Sequence, residues 1–96
     1  MFIFSEWAEQ DGVHECIVSF FYAAVAQPII RCRAVKTEKG AYEAVLREYT
    51  GRGAEIERGP QRKHLAVAKA EAMNRARNYL IDKSRELSVQ DESAPK

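Results

Sequence analysis

Arginine and lysine are missing from the first thirty residues of this 96-residue chain. Residues 1–27 carry four acidic side chains and no basic one, whereas residues 28–90 carry fourteen Arg and Lys against eight Asp and Glu. The net charge is therefore −4 in the first segment and +6 in the second. The last six residues contribute −1, so the whole chain sums to only +1. Such polarity in a small domain is typical of a molecule that meets a charged partner.

Cysteine is scarce, because Cys16 and Cys32 are the only two in the chain. Two cysteines do not make the disulfide framework on which small secreted domains depend. Both lie in apolar stretches, where a free cysteine behaves as a small hydrophobic residue. The first residues also lack the basic segment with which a signal peptide begins. We therefore expect a reduced, cytoplasmic protein.

Long hydrophobic runs are absent as well. The longest extends from Cys16 to Ala26 and is broken only by Ser19, which is short of the ~20 residues that span a bilayer. We therefore expect no membrane partner. Charged residues make up 30% of the chain and hydrophobic ones 46%, a composition typical of globular proteins. The length predicts a single domain over residues 1–88, with a flexible tail over residues 89–96 where the hydrophobic pattern ends.

Glycine and proline are few, with five and three copies, and they mark turns. Asp11-Gly12 suits the positive φ angles of a two-residue type I′ turn, and segments rich in aromatic and β-branched residues flank it. We therefore predict a hairpin here. Its register would place Glu9 opposite His14 and Trp7 opposite Cys16. In the alternative, Ser5 caps a short helix over residues 6–10.

The following segments predict two further strands. Residues 16–22 are apolar on both alternating faces, which is typical of a central strand buried on both sides. Residues 29–37 alternate after a break at Pro28 and predict a half-buried strand with an arginine-bearing face. One face of this strand carries Ile30, Cys32 and Ala34, and the other carries Arg31, Arg33 and Val35.

Residues 41–49 fit either a strand or a helix. As a strand they place Tyr42, Ala44 and Leu46 on one face, and as a helix they would begin after Thr37 and end at Gly51. The strand is favoured here, although the residue types suit a helix. One more short strand is expected over residues 54–57, at an edge of the sheet.

A long helix is predicted after Pro60, because no glycine or proline interrupts residues 61–90. Its apolar side chains gather on one side at helical spacing. They are Leu65, Ala72, Met73, Ala76, Tyr79, Leu80 and Leu87. The predicted fold is therefore α+β: an antiparallel, meander-like sheet of four to five strands, with one C-terminal amphipathic helix on one face.

No residue pattern predicts catalysis or metal binding. The two cysteines and the two histidines lack the close pairing of structural zinc ligands, and Cys16 lies in an apolar strand, where a thiol stays protonated. Gly51-Arg52-Gly53 fits neither the dinucleotide fingerprint nor the phosphate loop. We therefore expect a protein that is not an enzyme and has no cofactor and no metal.

One helix can cover only one face of the predicted sheet. Apolar side chains of the hairpin nevertheless fall on both faces, for example Phe4 on one and Trp7 on the other. Either an open apolar face forms a protein interface, or a segment interpreted as a strand is a helix that covers it. The sequence favours neither.

These features predict a small non-catalytic protein that binds a protein or ribonucleoprotein partner and occludes or regulates it. In size and layout, though without a shared motif, it resembles phage-encoded inhibitors of host defence such as anti-CRISPR proteins. A homodimer through the open sheet face is a further alternative. The expected contact residues are two aromatic anchors, Trp7 and Tyr22, and seven cations, Arg31, Arg33, Arg52, Arg58, Arg62, Lys63 and Arg75.

Nucleic-acid binding is the alternative function. The most concentrated basic stretch, residues 58–64, lies at the predicted helix start, where backbone N–H groups already favour anions. Strands followed by such a helix, over residues 14–80, resemble the double-stranded-RNA-binding domain. Arg62-Lys63-His64-Leu65-Ala66 meets the Lys-Lys-x-Ala-Lys run of that family only in its two leading basic residues, and the family's first helix has no counterpart in the predicted hairpin. The resemblance implies phosphate contacts from the helix start, and the arginine-bearing strand with Arg31 and Arg33 is expected to add further phosphate contacts.

Overall fold

Within the residues that the structure describes, six strands precede one long helix. The computed structural model describes the backbone of residues 1–93 and the side-chain environments of residues 1–21 and 23–84. The strands are β1 (Phe2–Phe4), β2 (Ala8–Gln10), β3 (Val13–Tyr22), β4 (Val25–Lys36), β5 (Tyr42–Glu48) and β6 (Glu55–Arg62), and the helix is α1 (Leu65–Ser93). The chain therefore has the predicted α+β fold. The predicted flexible tail over residues 89–96 stays a prediction.

The strands form one antiparallel sheet in meander-like order, β1-β3-β4-β5-β6. The short β2 also pairs with β3, so β2 and β1 follow one another along the same strand. β3, β4 and β5 thereby lie inside the sheet, and β6 forms one edge of it.

Two tight turns join the first long strands. Asp11 and Gly12 have φ angles of 53° and 78°, and Glu9 pairs with His14 across them, which confirms the predicted hairpin. The helix considered for residues 6–10 is wrong, because β2 occupies the end of that segment. Trp7 precedes β2, whose first paired residue is Ala8.

The second turn has no glycine. Ala23 and Ala24 have φ angles of 52° and 63°, and Tyr22 pairs with Val25 across them. Alanine rarely adopts positive φ, because its Cβ approaches the backbone carbonyl in that conformation. Because the two alanines give no sign of a turn, the predicted strand break lies near Pro28, three residues after the true start of β4.

The segment over residues 41–49 is a strand, as favoured from its sequence, since β5 covers most of it. β6 is longer than the predicted strand over residues 54–57 and includes Gly59 and Pro60. An edge strand tolerates proline, since its outer N–H groups need no partner. The helix therefore begins at Leu65 rather than at Pro60.

The core lies between α1 and one face of the sheet. Small alanines let the helix approach closely, and they pack against apolar side chains from β3, β4 and β5. The buried cluster consists of Cys16, Val18, Ile30, Cys32, Ala44, Leu46, Ala72, Ala76 and Leu80. The other face of the sheet, called the open face below, carries the alternate residues of the same strands.

β3 is buried on one face only, contrary to the expectation for residues 16–22. Cys16 and Val18 lie beneath α1, whereas Ile17 is half-buried and Phe20 and Phe21 are exposed. No described segment forms a second helix that covers the open face. The exposed aromatic rings lie near the turn at Ala23. This end of the β3–β4 hairpin has no pairing with β5, because the first β4–β5 pair is Ile30 with Glu48.

Candidate binding site on the open sheet face

The alternation of β4 places its arginines on the open face, as its sequence predicted. Arg31 lies opposite Arg47 of β5, and the turn that follows β5 brings Arg52 close to both. Gly51 and Gly53 give this turn the positive φ angles of 65° and 68° that it requires. Together these elements enclose a cleft of about 480 Å³, called the arginine cleft below. It is lined by Arg31, Arg33, Arg47, Tyr49, Gly51, Arg52 and Gly53.

Glu15 of β3 holds two of these arginines in place. Its carboxylate accepts a hydrogen bond from Arg31 Nη1 at 2.9 Å and another from Arg33 Nε at 2.6 Å. All three side chains are half-buried. One carboxylate thus pairs with two guanidinium groups and leaves a net charge of +1, and each arginine keeps further N–H donors for a ligand.

Backbone and ring contacts position the neighbouring groups. The Arg31 guanidinium carbon lies 4.6 Å from the centre of the Tyr49 ring, and Arg47 Nε donates a hydrogen bond to the Gly53 carbonyl oxygen at 2.7 Å. Arg52 is exposed and forms no salt bridge with any described residue. The cleft therefore contains three oriented guanidinium groups and a fourth that is free to move toward a ligand.

An acidic hollow of about 420 Å³ adjoins the arginine cleft. Glu9, Asp11 and Glu15 contribute to its lining, and Arg31 and Arg33 are common to both depressions. The charge polarity of the sequence is therefore laid out across one surface. The acidic N-terminal segment forms one side of the open face, and the arginines of β4 and β5 form the other.

Arg58 also lies on the open face, but outside the arginine cleft. It forms salt bridges with Glu43 and Glu55. The hydrogen bonds that Arg58 donates to Glu55 lower the pKa of Glu55, and those that it donates to Glu55 and Glu43 raise the pKa of Arg58. The charge of this arginine is therefore matched by its own neighbours.

Arg62 and Arg75 lie on the helix side of the sheet. Arg62 Nη2 is 2.9 Å from Glu71 Oε1, and Arg75 is 3.5 Å from the same carboxylate and 3.7 Å from Glu57. They border a groove of about 860 Å³ between β6 and α1. Lys63 is exposed in the link between these elements. The cations expected at one site therefore lie on different surfaces.

Of the two expected aromatic anchors, the structure describes the side chain of Trp7 but not that of Tyr22. Trp7 is half-buried and packs against the core, with Lys69 Nζ 5.3 Å from its ring centre. Tyr22 ends β3, and its side chain lies outside the described residues. Trp7 is therefore a partly covered side chain, and its indole contributes to the packing of α1 on the sheet.

Arg47 and Tyr49 belong to the site but were missing from the expected set. A signal for them exists in the sequence. If residues 41–49 form a strand, Arg47 and Tyr49 must alternate with Ala44 and Leu46 and point to the opposite face. The helix alternative for this segment would not place them on that face, so alternation alone does not assign them to the site.

The described part of the chain holds no group of three or more His, Cys, Asp or Glu side chains placed to bind a metal ion. It also contains no helix with the length and apolar character needed to cross a membrane. The chain matches no protein-family model, no curated protein and no solved structure at significant similarity.

Proposed function

We propose that this is a non-catalytic binding protein that engages a protein or ribonucleoprotein partner through the open face and occludes or regulates it. One observation supports the proposal above all. No described helix covers the sheet face opposite α1, and this face carries a cleft lined by four arginines, two of which pair with the carboxylate of Glu15.

The chemistry of the cleft suits an anionic surface of a macromolecule. A guanidinium group presents a planar fork of donors that matches carboxylate and phosphate oxygens. Contacts with Glu15, Tyr49 and Gly53 orient three of these groups before binding, which lowers the entropy lost on association. The adjoining acidic hollow adds a second charge sign, so that a partner of complementary polarity would bind in one orientation.

A capture experiment tests this function. The tagged chain is compared with the variant Arg47→Glu/Arg52→Glu and with the control Lys36→Glu/Lys39→Glu, whose exposed lysines lie at the other end of β4. Each is used to capture partners from lysate with and without nuclease. Without nuclease, we expect the wild type and the control to capture the same discrete set and the arginine variant to lose it. The nuclease arm shows whether nucleic acid forms part of the captured partner. Equal capture by all three would contradict the proposal.

Nucleic-acid binding through the helix start has less support. Arg62 and Arg75 share the Glu71 carboxylate, so a phosphate there would have to compete with an existing ion pair. Lys63 lies after the end of β6 and before the first helical residue. The likeness to phage-encoded inhibitors, the cytoplasmic location and the homodimer stay predictions.

A further inference from the structure

The arginine cleft carries more positive charge than the described carboxylates around it balance. Glu15 pairs with Arg31 and Arg33, while Arg47 and Arg52 form no salt bridge with a described residue. We propose a class of ligand for this cleft, and this proposal rests on the proposed function of the open face. The cleft binds a segment of single-stranded nucleic acid, held mainly through its phosphates.

Phosphate binding follows from the type and arrangement of the side chains. Arginine contacts phosphate oxygens with two parallel donors, and several arginines along a groove can follow a phosphodiester backbone. Arg31 and Arg33 are two residues apart on β4, and Arg47 lies beside Arg31 on β5. Arg33, Arg31 and Arg47 are therefore successive neighbours on the open face, called the cationic row below, and Arg52 lines the same cleft.

The acidic hollow favours a single strand over a duplex. It shares Arg31 and Arg33 with the cleft, so Glu9 and Asp11 lie next to the cationic row. A duplex is stiff over ~150 base pairs, and its phosphates would therefore pass over these carboxylates as well. A flexible single strand can bend away from them. The open face is also a sheet surface, and no described helix projects from it to enter a groove.

Base contacts in the cleft are few and do not depend on sequence. Tyr49 is half-buried, and the Arg31 guanidinium lies over its ring. A base can stack on the flat guanidinium or on the remaining ring surface, as bases do in proteins that bind single strands without sequence preference. We therefore expect affinity to depend on salt rather than on base identity.

Fluorescence anisotropy with a labelled 12-nucleotide oligodeoxythymidine tests the inference. At 50 mM salt we expect saturable binding, and the logarithm of the association constant should fall with the logarithm of the salt concentration with a slope of about −2. That slope corresponds to about three phosphates at ~0.7 each. A 12-base-pair duplex should bind at least about tenfold more weakly, because the acidic hollow repels its second strand.

Two matched double variants locate the contact. Arg47→Gln/Arg52→Gln should weaken oligonucleotide binding by about tenfold and reduce the slope by about 1.4, since two phosphate contacts are lost. Lys36→Gln/Lys39→Gln removes the same charge at the far end of β4 and should change neither value. Arg52→Gln alone removes a side chain with no described partner, so it should fold normally and lose about half the effect. Circular dichroism checks each fold.

The outcomes separate this inference from the function on which it rests. Absent oligonucleotide binding, equal binding of the two double variants, or preference for the duplex would overturn the single-strand ligand. Saturable binding of a poly-glutamate peptide, together with no binding of the oligonucleotide, would also overturn it. If nuclease-resistant capture still depends on Arg47 and Arg52, the open face retains its proposed function and the partner is an acidic protein.

Discussion

At the scale of single residues, Glu15 matters most for the site. It is a half-buried carboxylate that accepts hydrogen bonds from Arg31 and Arg33 across two strands. Its position on β3 is fixed by pairing with Arg33. It therefore has two opposing effects, because it stabilises the sheet by pairing cations and also lowers the positive charge available to a ligand.

Glu15→Gln should show both effects. We expect the free energy of unfolding to fall by about 1 kcal/mol, because two partly buried guanidinium groups lose their carboxylate. Affinity for the anionic oligonucleotide should rise about threefold, since one negative charge beside the cleft is removed. Urea denaturation and anisotropy measure the two quantities. Glu38→Gln, in the exposed turn between β4 and β5, is the control, and equal shifts in both variants would refute this role for Glu15.

At the scale of elements, α1 is held against the sheet by a row of buried alanines. Ala68, Ala72 and Ala76 are fully buried, and they follow one another at four-residue spacing along the helix. Such small side chains set the distance between the helix and the sheet. A larger side chain at these positions has no space unless the helix moves outward.

Ala72→Leu should therefore destabilise the protein by ~1–3 kcal/mol, as overpacking of a closed core does. Ala70→Leu introduces the same side chain on the exposed side of the same helix and should change stability by less than about 0.5 kcal/mol. Thermal unfolding of both variants gives the comparison. Similar values for the two would show that the alanine face is not close-packed.

The two hairpin turns provide a second test at this scale. Asp11-Gly12 and Ala23-Ala24 have the same pattern of positive φ angles, but only the first has residues that favour it. Ala24→Gly should stabilise the protein by about 0.5–1 kcal/mol, because relief of the strained φ outweighs the added flexibility of the unfolded chain. Ala26→Gly, within β4 at negative φ, should destabilise it. Chemical denaturation measures the unfolding free energy of both variants. If Ala24→Gly were no more stable than Ala26→Gly, the turn would be unstrained and the prediction wrong.

At the scale of the whole molecule, ion pairs between β6 and α1 make global stability depend on pH. The hydrogen bond from Arg62 lowers the pKa of Glu71, and the charges of Arg62 and Arg75 act in the same direction. The unfolded chain therefore binds a proton at this residue at higher pH than the folded chain does. The stabilisation is present above the ordinary glutamate pKa and is lost as pH falls through the lower, folded value.

Glu71→Gln should remove part of the acid sensitivity. We expect the wild type to lose more unfolding free energy than the variant between pH 6 and pH 3, because only the wild type must protonate this paired carboxylate. Urea titrations at the two pH values measure the difference. Glu38→Gln should behave as the wild type does, and identical losses in Glu71→Gln and the wild type would contradict the assignment.

Periodicity predicted most of the fold because each long element has a regular pattern. The alternation of residues 29–37 predicted both faces of β4 correctly, and the uninterrupted apolar stripe predicted α1. Where the local sequence signal is weak or ambiguous, the structure differs from the prediction. Ala23-Ala24 forms a turn through the pairing of its neighbours, and Pro60 continues an edge strand, although proline also commonly begins helices.

The site could be predicted only in part, because it depends on long-range pairing. Arg31 and Arg33 follow from alternation, but their juxtaposition with Glu15 and Arg47 depends on the register of three strands. Whether a basic residue is paired depends on distant carboxylates, as with Arg62 and Glu71. Sequence proximity grouped Arg62 with Lys63, whereas the fold assigns Arg62 to an ion-pair network.

The facing cysteines beneath α1 provide a built-in reporter of conformational opening. Cys16 and Cys32 are direct partners across β3 and β4, and each is at most 1% exposed. The hydrogen bond between the two thiols lowers the pKa of Cys16 and, together with burial, raises the pKa of Cys32, so it is burial beneath α1 that keeps reagents from both sulfurs. Alkylation must therefore wait until the helix separates from the sheet. The rate of labelling in native buffer reports the free energy of that local opening, with no probe added to the chain.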